Sequence, residues 1–290
     1  MDAIFKGVAT ALYTPFTQDG IDYEQFERLI ERQLLAKVDA LVLLGTTGEA
    51  PTVTYAERKE LITFAVNKVK GKVPLIVGTG SNCTKTACKF TAQAKLLGAD
   101  GALVVTPYYN KCEQEGLYLH YKEISKEKLP FIAYNVPSRT GVEITADALK
   151  KIASLDFFCG IKEASLDRKK IKETFSVFNV NPPVYCGSDE MLKDFLKLGC
   201  AGIISVSSNV IPLKIKDYIS NFKNYYDERC KIDESKLFTL FKALATKVNP
   251  IPIKVLASLL FNEKCVFRLP LNYPTDDYVE YLKRIIKILN

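Results

Sequence analysis

The residue whose surroundings most strongly suggest chemistry is Lys162, within the segment 157–164. Its flanks are apolar and β-prone, so the segment is predicted to be a buried strand with a lysine near its C-terminal end. Because burying an unpaired ammonium group is costly, a lysine in that position has either a charged partner or a chemical role. The segment by itself leaves both readings open: an ion pair with an acidic neighbour such as Glu163, or a nucleophilic amine.

Two more strand ends carry polar side chains that suit the same chemistry. One predicted strand ends at Tyr134 and is followed by Arg139, and another ends at Leu44 and is followed by Thr46 and Thr47. If these strand ends converge, a lysine, a phenol, a guanidinium and two hydroxyl groups meet in one place. That set of groups suits carbonyl chemistry through a lysine Schiff base.

The composition is that of an ordinary globular protein, with 48% hydrophobic and 25% charged residues in a chain of 290. No apolar run approaches the roughly 20 residues of a membrane span, and the N-terminal segment shows no secretion signal. The net charge of +7 is spread along helical stretches such as 168–172, which indicates solvated helix faces. We therefore expect neither a membrane nor a nucleic-acid partner.

The cysteine and histidine residues restrict the chemistry further. The eight cysteines form no C-x-x-C pair, and without an export signal they indicate reduced thiols in a cytoplasmic protein. His120 is the only histidine, which argues against a histidine-based zinc site and against a Ser-His-Asp triad. Acid–base work would then fall to tyrosine, lysine or carboxylate side chains.

Eight short apolar segments recur along the chain and are predicted to be β-strands. They are Gly7–Leu12, Ala40–Leu44, Pro74–Val77, Gly101–Val105, Pro130–Tyr134, Phe157–Lys162, Pro183–Cys186 and Gly202–Val206. Amphipathic segments of helical length, such as 23–35 and 56–69, lie between them. This alternation indicates a parallel sheet that is buried on both faces. The strand count favours a closed (β/α)8 TIM barrel over a doubly wound open sheet.

The strand pattern stops after Val206, and the remainder of the chain is predicted to be helical with a break at 249–254. We expect a catalytic barrel over residues 1–210 and a C-terminal helical extension over 211–290. In such a barrel the catalytic groups lie at the C-terminal ends of the strands, which is where the polar residues described above are found.

Five motifs carry a family likeness that covers nearly the whole chain. They are Gly45-Thr46-Thr47-Gly48-Glu49, Pro107-Tyr108-Tyr109-Asn110-Lys111, Tyr134-Asn135-Val136-Pro137-Ser138-Arg139-Thr140-Gly141, Gly160-Ile161-Lys162-Glu163-Ala164 and Asn249-Pro250-Ile251-Pro252-Ile253-Lys254. In this order and spacing they resemble the dihydrodipicolinate synthase family. The wider superfamily, which includes N-acetylneuraminate lyase, shares the barrel, the lysine and the tyrosine, whereas the Ser-Arg-Thr-Gly continuation is similar to the synthases.

The resemblance implies a lyase of lysine and diaminopimelate biosynthesis. Such an enzyme condenses pyruvate with L-aspartate-4-semialdehyde to give 4-hydroxy-tetrahydrodipicolinate, works as a homotetramer built as a dimer of dimers, and uses no metal or organic cofactor. One alternative is another pyruvate-dependent class I aldolase, such as a sialic acid or 2-oxo sugar-acid lyase. A catalytically silent barrel used for ligand binding or regulation is the alternative outside enzymes.

The resemblance also implies roles for four catalytic residues. Lys162 would form the Schiff base with pyruvate, and Tyr134 would shuttle protons during imine formation. Thr46 and Tyr109 would complete a hydrogen-bonded relay with Tyr134. Tyr109 would reach across a dimer interface to serve the neighbouring subunit.

Four further positions match residues of the family that bind substrate. Thr47 would hold the pyruvate carboxylate, and Arg139 would bind the carboxylate of the semialdehyde with its planar fork. The backbones of Gly187 and Ile204 would line the pocket. Without the resemblance, each of these residues could equally be structural.

A last expectation concerns feedback inhibition by lysine at the dimer interface. Members of the family that respond to lysine use a histidine and a glutamate in this cleft, and the matching positions here are Arg58 and Thr86. Asn82 and Tyr108 match the family and could still bind a carboxylate. Replacing an acid by Thr86 and adding the like charge of Arg58 predicts weak or absent inhibition. The alternative is that Arg58 lies on a helix face that points to solvent.

Overall fold

The computed structural model of the protein describes residues 2–178, 183–222 and 228–289, and for 228–233 and 289 the backbone alone. Its strands are β1 (Gly7–Ala11), β2 (Ala40–Leu43), β3 (Leu75–Gly78), β4 (Gly101–Val105), β5 (Phe131–Asn135), β6 (Phe158–Glu163), β7 (Val184–Cys186) and β8 (Gly202–Ser205). Each strand pairs in parallel with the next, and β8 pairs with β1. The predicted TIM barrel is therefore confirmed, and the open sheet is excluded.

The strand bounds agree with the predicted ones to within one residue. This agreement follows from the composition of the strands, since each is a short apolar run bounded by glycine, proline or polar residues. Side chains alternate between two layers of core. In β5, for example, Ile132 and Tyr134 belong to the cluster inside the barrel, while Phe131 and Ala133 pack outward against the helices.

The seam between β1 and β8 closes the barrel with almost no space to spare. Gly7 and Gly202 are register partners there. A Cβ atom placed on Gly202 would lie 2.0 Å from the carbonyl oxygen of Gly7. Glycine at this position therefore allows the two backbones to approach closely enough to complete the ring of strands.

Helices connect the strands and surround the barrel. They are α1 (Tyr23–Leu35), α2 (Tyr55–Val69), α3 (Thr84–Leu96), α4 (Gln114–Ser125), α5 (Pro137–Thr140), α6 (Ala146–Ala153), α7 (Arg168–Val177), α8 (Leu192–Lys197), α9 (Pro212–Ser220), α10 (Glu228–Ala245), α11 (Ile251–Phe261) and α12 (Asp276–Leu289). The predicted helix over 23–35 is confirmed, and the one over 56–69 begins one residue earlier. Local caps explain these starts: Asp22 accepts a hydrogen bond from the amide of Gln25, and Thr54 forms a capping box with Glu57.

The C-terminal part of the chain is helical, as predicted, and has a core of its own. Leu240 of α10, Leu256 of α11 and Leu282 of α12 belong to one buried cluster, which also meets Val206 at the end of β8. The predicted break at 249–254 is too long, because α11 begins at Ile251 with Pro252 in its first turn, where a missing backbone N–H is tolerated. The buried face of α11 runs from Pro252 to Ala257. The division at residue 210 stays a prediction. Within the described residues no helix is both long and apolar enough to cross a membrane.

Candidate active site

A cavity of about 580 Å³ lies at the C-terminal ends of the strands. Thr46, Tyr134 and Arg139, three of the residues proposed from the sequence, line its wall. Asn249 lines it as well, so the C-terminal extension forms part of the same wall as the barrel loops. The convergence of strand ends that the barrel required is thus observed for these residues.

Lys162 lies beside Tyr134 inside the barrel mouth. The two residues are register partners on β6 and β5, so their side chains leave the sheet on the same face. The Nζ atom of Lys162 lies over the tyrosine ring, 4.3 Å from its centroid, and only 5% of the lysine is exposed. The face of an aromatic ring attracts a lysine ammonium group electrostatically.

The predicted alternative of an ion pair between Lys162 and Glu163 is wrong. Successive residues of a strand point to opposite faces, and the Glu163 carboxylate points out of the barrel. It accepts hydrogen bonds from Asn135 Nδ2 at 2.9 and 3.1 Å, from Thr174 Oγ1 at 3.0 Å and from the amide of Ser165 at 2.7 Å. Among the residues that the structure describes, Lys162 has no ion-pair partner within 4.0 Å.

The fully buried Glu163 has a structural effect next to Lys162. Burial raises the pKa of its carboxyl group, and the hydrogen bonds from Asn135, Ser165 and Thr174 limit that shift. These bonds tie the end of β6 to β5 and to α7. The backbone that carries Lys162 is therefore held on both sides.

Thr46 and Thr47 occupy the turn after β2, but in different environments. Thr46 is half-buried and lines the cavity, whereas only 3% of Thr47 is exposed. The Nδ2 atom of Asn249 donates a hydrogen bond of 3.0 Å to Thr47 Oγ1. Sequence reasoning gave Asn249 no role, although the residue opens one of the five motifs.

The same turn is anchored from behind by a buried ion pair. Glu49 has a left-handed backbone conformation (φ 51°), and its carboxylate accepts a hydrogen bond of 2.6 Å from Lys254 Nζ. The Lys254 ammonium also donates to the carbonyl oxygens of Thr14 at 3.0 Å and Val266 at 2.6 Å. Burial lowers the pKa of Lys254, and the Glu49 carboxylate limits that shift. The ion pair thus joins α11 to the turn that carries both threonines.

Arg139 and Tyr109 are both exposed at the rim. Arg139 lies on α5, directly after the strand of Tyr134, and its Nη2 donates to the carbonyl oxygen of Asn249 at 3.4 Å. Tyr109 is 87% exposed and has a φ of 76°. Within the single chain it forms no hydrogen bond with Tyr134 or Thr46, so the chain alone does not assemble the predicted relay.

Gly187 directly follows β7, and Ile204 lies on β8, the two strands after that of Lys162 around the barrel. The amide of Gly187 donates to the carbonyl of Glu163 at 2.7 Å, and a Cβ atom there would lie 2.8 Å from that oxygen. Ile204 is 1% exposed and belongs to the interior cluster that includes Tyr134. Both positions are tightly packed around the barrel mouth.

Arg58 does not point to solvent, so that alternative is wrong. It is 3% exposed, donates from Nη2 to the carbonyl of Gly78 at 2.8 Å, and stacks 4.0 Å above the centroid of Phe90. Burial lowers the pKa of Arg58 to about 10. Arg58, Thr86 and Tyr108 line the cavity described above. Weak inhibition by lysine stays a prediction.

The described part of the chain was expected to hold no metal. There, no group of three or more histidine, cysteine, aspartate or glutamate side chains is arranged to hold a metal ion.

The chain matches known proteins over almost its full length. The model of the dihydrodipicolinate synthetase family matches residues 4–289. A 4-hydroxy-tetrahydrodipicolinate synthase of Thermotoga neapolitana is 44% identical over 289 residues, which is 98% of each chain. The dihydrodipicolinate synthase of Thermotoga maritima is 42% identical, with a TM-score of 0.93 over 98% of each chain. A monomeric dihydrodipicolinate synthase variant gives a TM-score of 0.94 at 42% identity, over 99% of this chain and 97% of its own.

The buried pair of Glu49 and Lys254 generates a prediction about stability. Lys254→Met should lower the free energy of unfolding by about 3–5 kcal/mol, because it leaves a buried carboxylate without its cation. Adding Glu49→Gln should restore most of that loss. Equilibrium unfolding in urea measures both effects.

A matched control is available at the surface. Lys283 pairs with Glu280 where the side chains are 48% and 63% exposed, and Lys283→Met should change stability by less than about 1 kcal/mol. The interpretation fails if Lys254→Met and Lys283→Met destabilise the protein equally.

Proposed function

Because the chain belongs to the dihydrodipicolinate synthetase family, we propose that Lys162 is its Schiff-base lysine and that the cavity beside Tyr134 is its active site. The protein is a lyase of lysine and diaminopimelate biosynthesis, and it condenses pyruvate with L-aspartate-4-semialdehyde to give 4-hydroxy-tetrahydrodipicolinate. Its relatives favour this reaction over that of a sialic acid or sugar-acid lyase, and over a silent barrel. The observation that supports this site most directly is the buried amine of Lys162, which lies 4.3 Å from the centroid of the Tyr134 ring and has no ion-pair partner among the described residues.

The reaction begins at the amine of Lys162. The amine attacks the ketone carbon of pyruvate, and loss of water leaves an iminium bond between nitrogen and that carbon. The iminium withdraws electrons, so the methyl group next to it loses a proton and an enamine forms. The enamine carbon then bonds to the aldehyde carbon of the semialdehyde, which restores the iminium, and the aldehyde oxygen takes a proton to become a hydroxyl group. The amino group of the semialdehyde next attacks the iminium carbon, and the bond from that carbon to Lys162 breaks, which closes the ring and releases the lysine amine.

Two protons have to move at the same place, first as water leaves the carbinolamine and later as the new hydroxyl forms. The Tyr134 phenol is the proposed carrier, since its ring contacts the amine and the residue lines the cavity. Thr46 lines the same wall and is the next member of the proposed relay. Tyr109 would complete the relay from a second subunit.

The substrate carboxylates need separate binding groups. We assign the pyruvate carboxylate to the hydroxyl and amide of Thr47, which lies in the turn after β2. Arg139 is assigned to the semialdehyde carboxylate, because it lines the cavity at the rim and offers a planar pair of donors. Gly187 and Ile204 would shape the space between them, since neither position has room to spare.

The proposed assembly is a homotetramer made of two dimers, in the cytoplasm. A tyrosine that is 87% exposed beside the cavity supports an interface there. Free cysteines, including the exposed Cys83, suit a reducing compartment. Sedimentation analysis of the purified protein tests the assembly, and a stable monomer with full activity would rule out the shared site.

Trapping the imine tests the role of Lys162. Reduction with borohydride in the presence of pyruvate should add a reduced pyruvyl group to the peptide that contains Lys162, as detected by mass spectrometry. Lys162→Ala should remove both the label and the activity. Lys254→Ala is an informative comparison, because that lysine is also buried but has a carboxylate partner. Label at another lysine would overturn the assignment.

The role of Arg139 can be separated from that of a structural arginine. Arg139→Ala should raise KM for the semialdehyde while leaving KM for pyruvate nearly unchanged. Loss of a charged hydrogen bond costs about 1.5–3 kcal/mol, or about one to two decades in kcat/KM. Arg168→Ala is the control, since Arg168 is an exposed arginine paired with Asp194. Equal effects on the two substrates would show that Arg139 is structural.

Complementation between two inactive proteins tests the sharing of Tyr109. Tyr109→Phe should lose activity but keep its assembly. Co-expression with Lys162→Ala should restore about a quarter of the active sites, because mixed dimers pair one intact lysine with one intact donated tyrosine. Tyr273→Phe, another exposed tyrosine, should remain active alone. If mixed assemblies form and regain no activity, the shared site is excluded.

A further inference from the structure

We propose that Asn249 is a positioning residue that turns the hydroxyl group of Thr47 toward the carboxylate of bound pyruvate. The inference rests on the assignment of Thr47 to that carboxylate in the proposed function. It gives the C-terminal extension a direct part in substrate binding, through a residue that lies outside the barrel strands.

The direction of the hydrogen bond between the side chains of Asn249 and Thr47 determines whether the Thr47 hydroxyl can donate to a substrate. Asn249 Nδ2 donates to Thr47 Oγ1 at 3.0 Å. A threonine hydroxyl has one proton to donate and two lone pairs to accept with. Because Asn249 Nδ2 occupies one lone pair of the Thr47 hydroxyl oxygen, the hydroxyl proton of Thr47 remains available to another acceptor. Thr47 is 3% exposed, so bulk water is a poor acceptor there, and the carboxylate of a bound substrate is a strong one.

The opposite amide orientation would have the opposite effect. If the Oδ1 atom of Asn249 faced Thr47, it would accept the hydroxyl proton, and the substrate would meet only oxygen lone pairs. Asn249 Oδ1 is buried and has no hydrogen-bond partner within the described part of the chain. An aspartate at this position imitates the opposite orientation, since both of its oxygens accept and neither donates.

The backbone of Asn249 has a separate contact with the other substrate-binding residue. Its carbonyl oxygen accepts from Arg139 Nη2 at 3.4 Å. The side chain and the carbonyl of one residue therefore meet the groups assigned to the two carboxylates. A change limited to the side chain should disturb Thr47 and leave the contact with Arg139 in place.

The position of Asn249 is fixed by the elements on either side. It lies two residues before the start of α11, whose Lys254 is bound to Glu49 in the turn of Thr47. The contact between Asn249 and Thr47 thus lies in a frame that is anchored at a second point. A positioning role requires such a frame, because a loosely held amide could not orient a hydroxyl group.

The experiment compares Asn249→Ala, Asn249→Asp, Thr47→Val and the double variant Thr47→Val/Asn249→Ala. Asn249→Ala should raise KM for pyruvate about tenfold and change KM for the semialdehyde less than about twofold. Asn249→Asp, which keeps the size of the side chain, should raise KM for pyruvate further by accepting the proton and repelling the carboxylate. KM for pyruvate should be no higher in the double variant than in Thr47→Val, because both changes remove the same function.

A second readout does not depend on turnover. The pyruvate concentration that gives half-maximal borohydride trapping at Lys162 should rise in the same order among the variants. Asn67→Ala, at an exposed asparagine of α2, is the control and should match the unmodified protein. If Asn249→Ala unfolds, the isosteric Asn249→Asp replaces it. A raised KM for pyruvate with an unchanged urea midpoint then indicates positioning, whereas a lowered midpoint indicates loss of structure.

The outcomes distinguish the two levels of the proposal. If Thr47→Val leaves pyruvate binding unchanged, the assignment of Thr47 fails, and the inference fails with it. If Thr47→Val weakens pyruvate binding while Asn249→Ala and Asn249→Asp do not, the inference alone is overturned. Additive effects in the double variant, or equal effects on the two substrates, would show that Asn249 acts independently of Thr47.

Discussion

The backbone pairing between β1 and β8 is the constraint on which the rest of the structure depends. Until these strands pair, the sheet has two free edges and the ends of β2, β5 and β6 do not face a common centre. Gly7 and Gly202 allow the pairing, because a side chain at Gly202 would overlap the backbone of its partner. Closure brings Lys162, Tyr134 and the threonine turn to one mouth.

The charges of Lys162 and Lys254, which are both buried, have different surroundings. Lys254 gains a carboxylate and two carbonyl oxygens, so its charge is compensated and it works as an anchor. Lys162 has an aromatic face beside it and, among the described residues, no acid within ion-pair distance. The acid next to it in sequence, Glu163, is bonded on the other face of the sheet. The Glu163 carboxylate is thereby kept away from the nitrogen that would attack pyruvate.

The helical extension completes the site rather than merely covering it. Lys254 holds the turn after β2 through Glu49, and Asn249 reaches both Thr47 and Arg139. A barrel without these contacts would still present the strand ends. The orientation of the threonine hydroxyl and the position of the arginine would then have no fixed support.

The sequence by itself determined the strands, the barrel and the family, because apolar runs, periodicity and motifs are local or additive signals. The apolar flanks of Lys162 predicted that it lies near the end of a strand. Whether Glu163 could pair with it depended on the face of the sheet to which each side chain points. Only the tertiary structure showed that Arg58 is buried and that Tyr109 is exposed. The contact of Asn249 with Thr47 joins residues 202 positions apart. Such a contact exists only after the barrel has closed and the extension has packed onto it, which is why no pattern within a segment could reveal it.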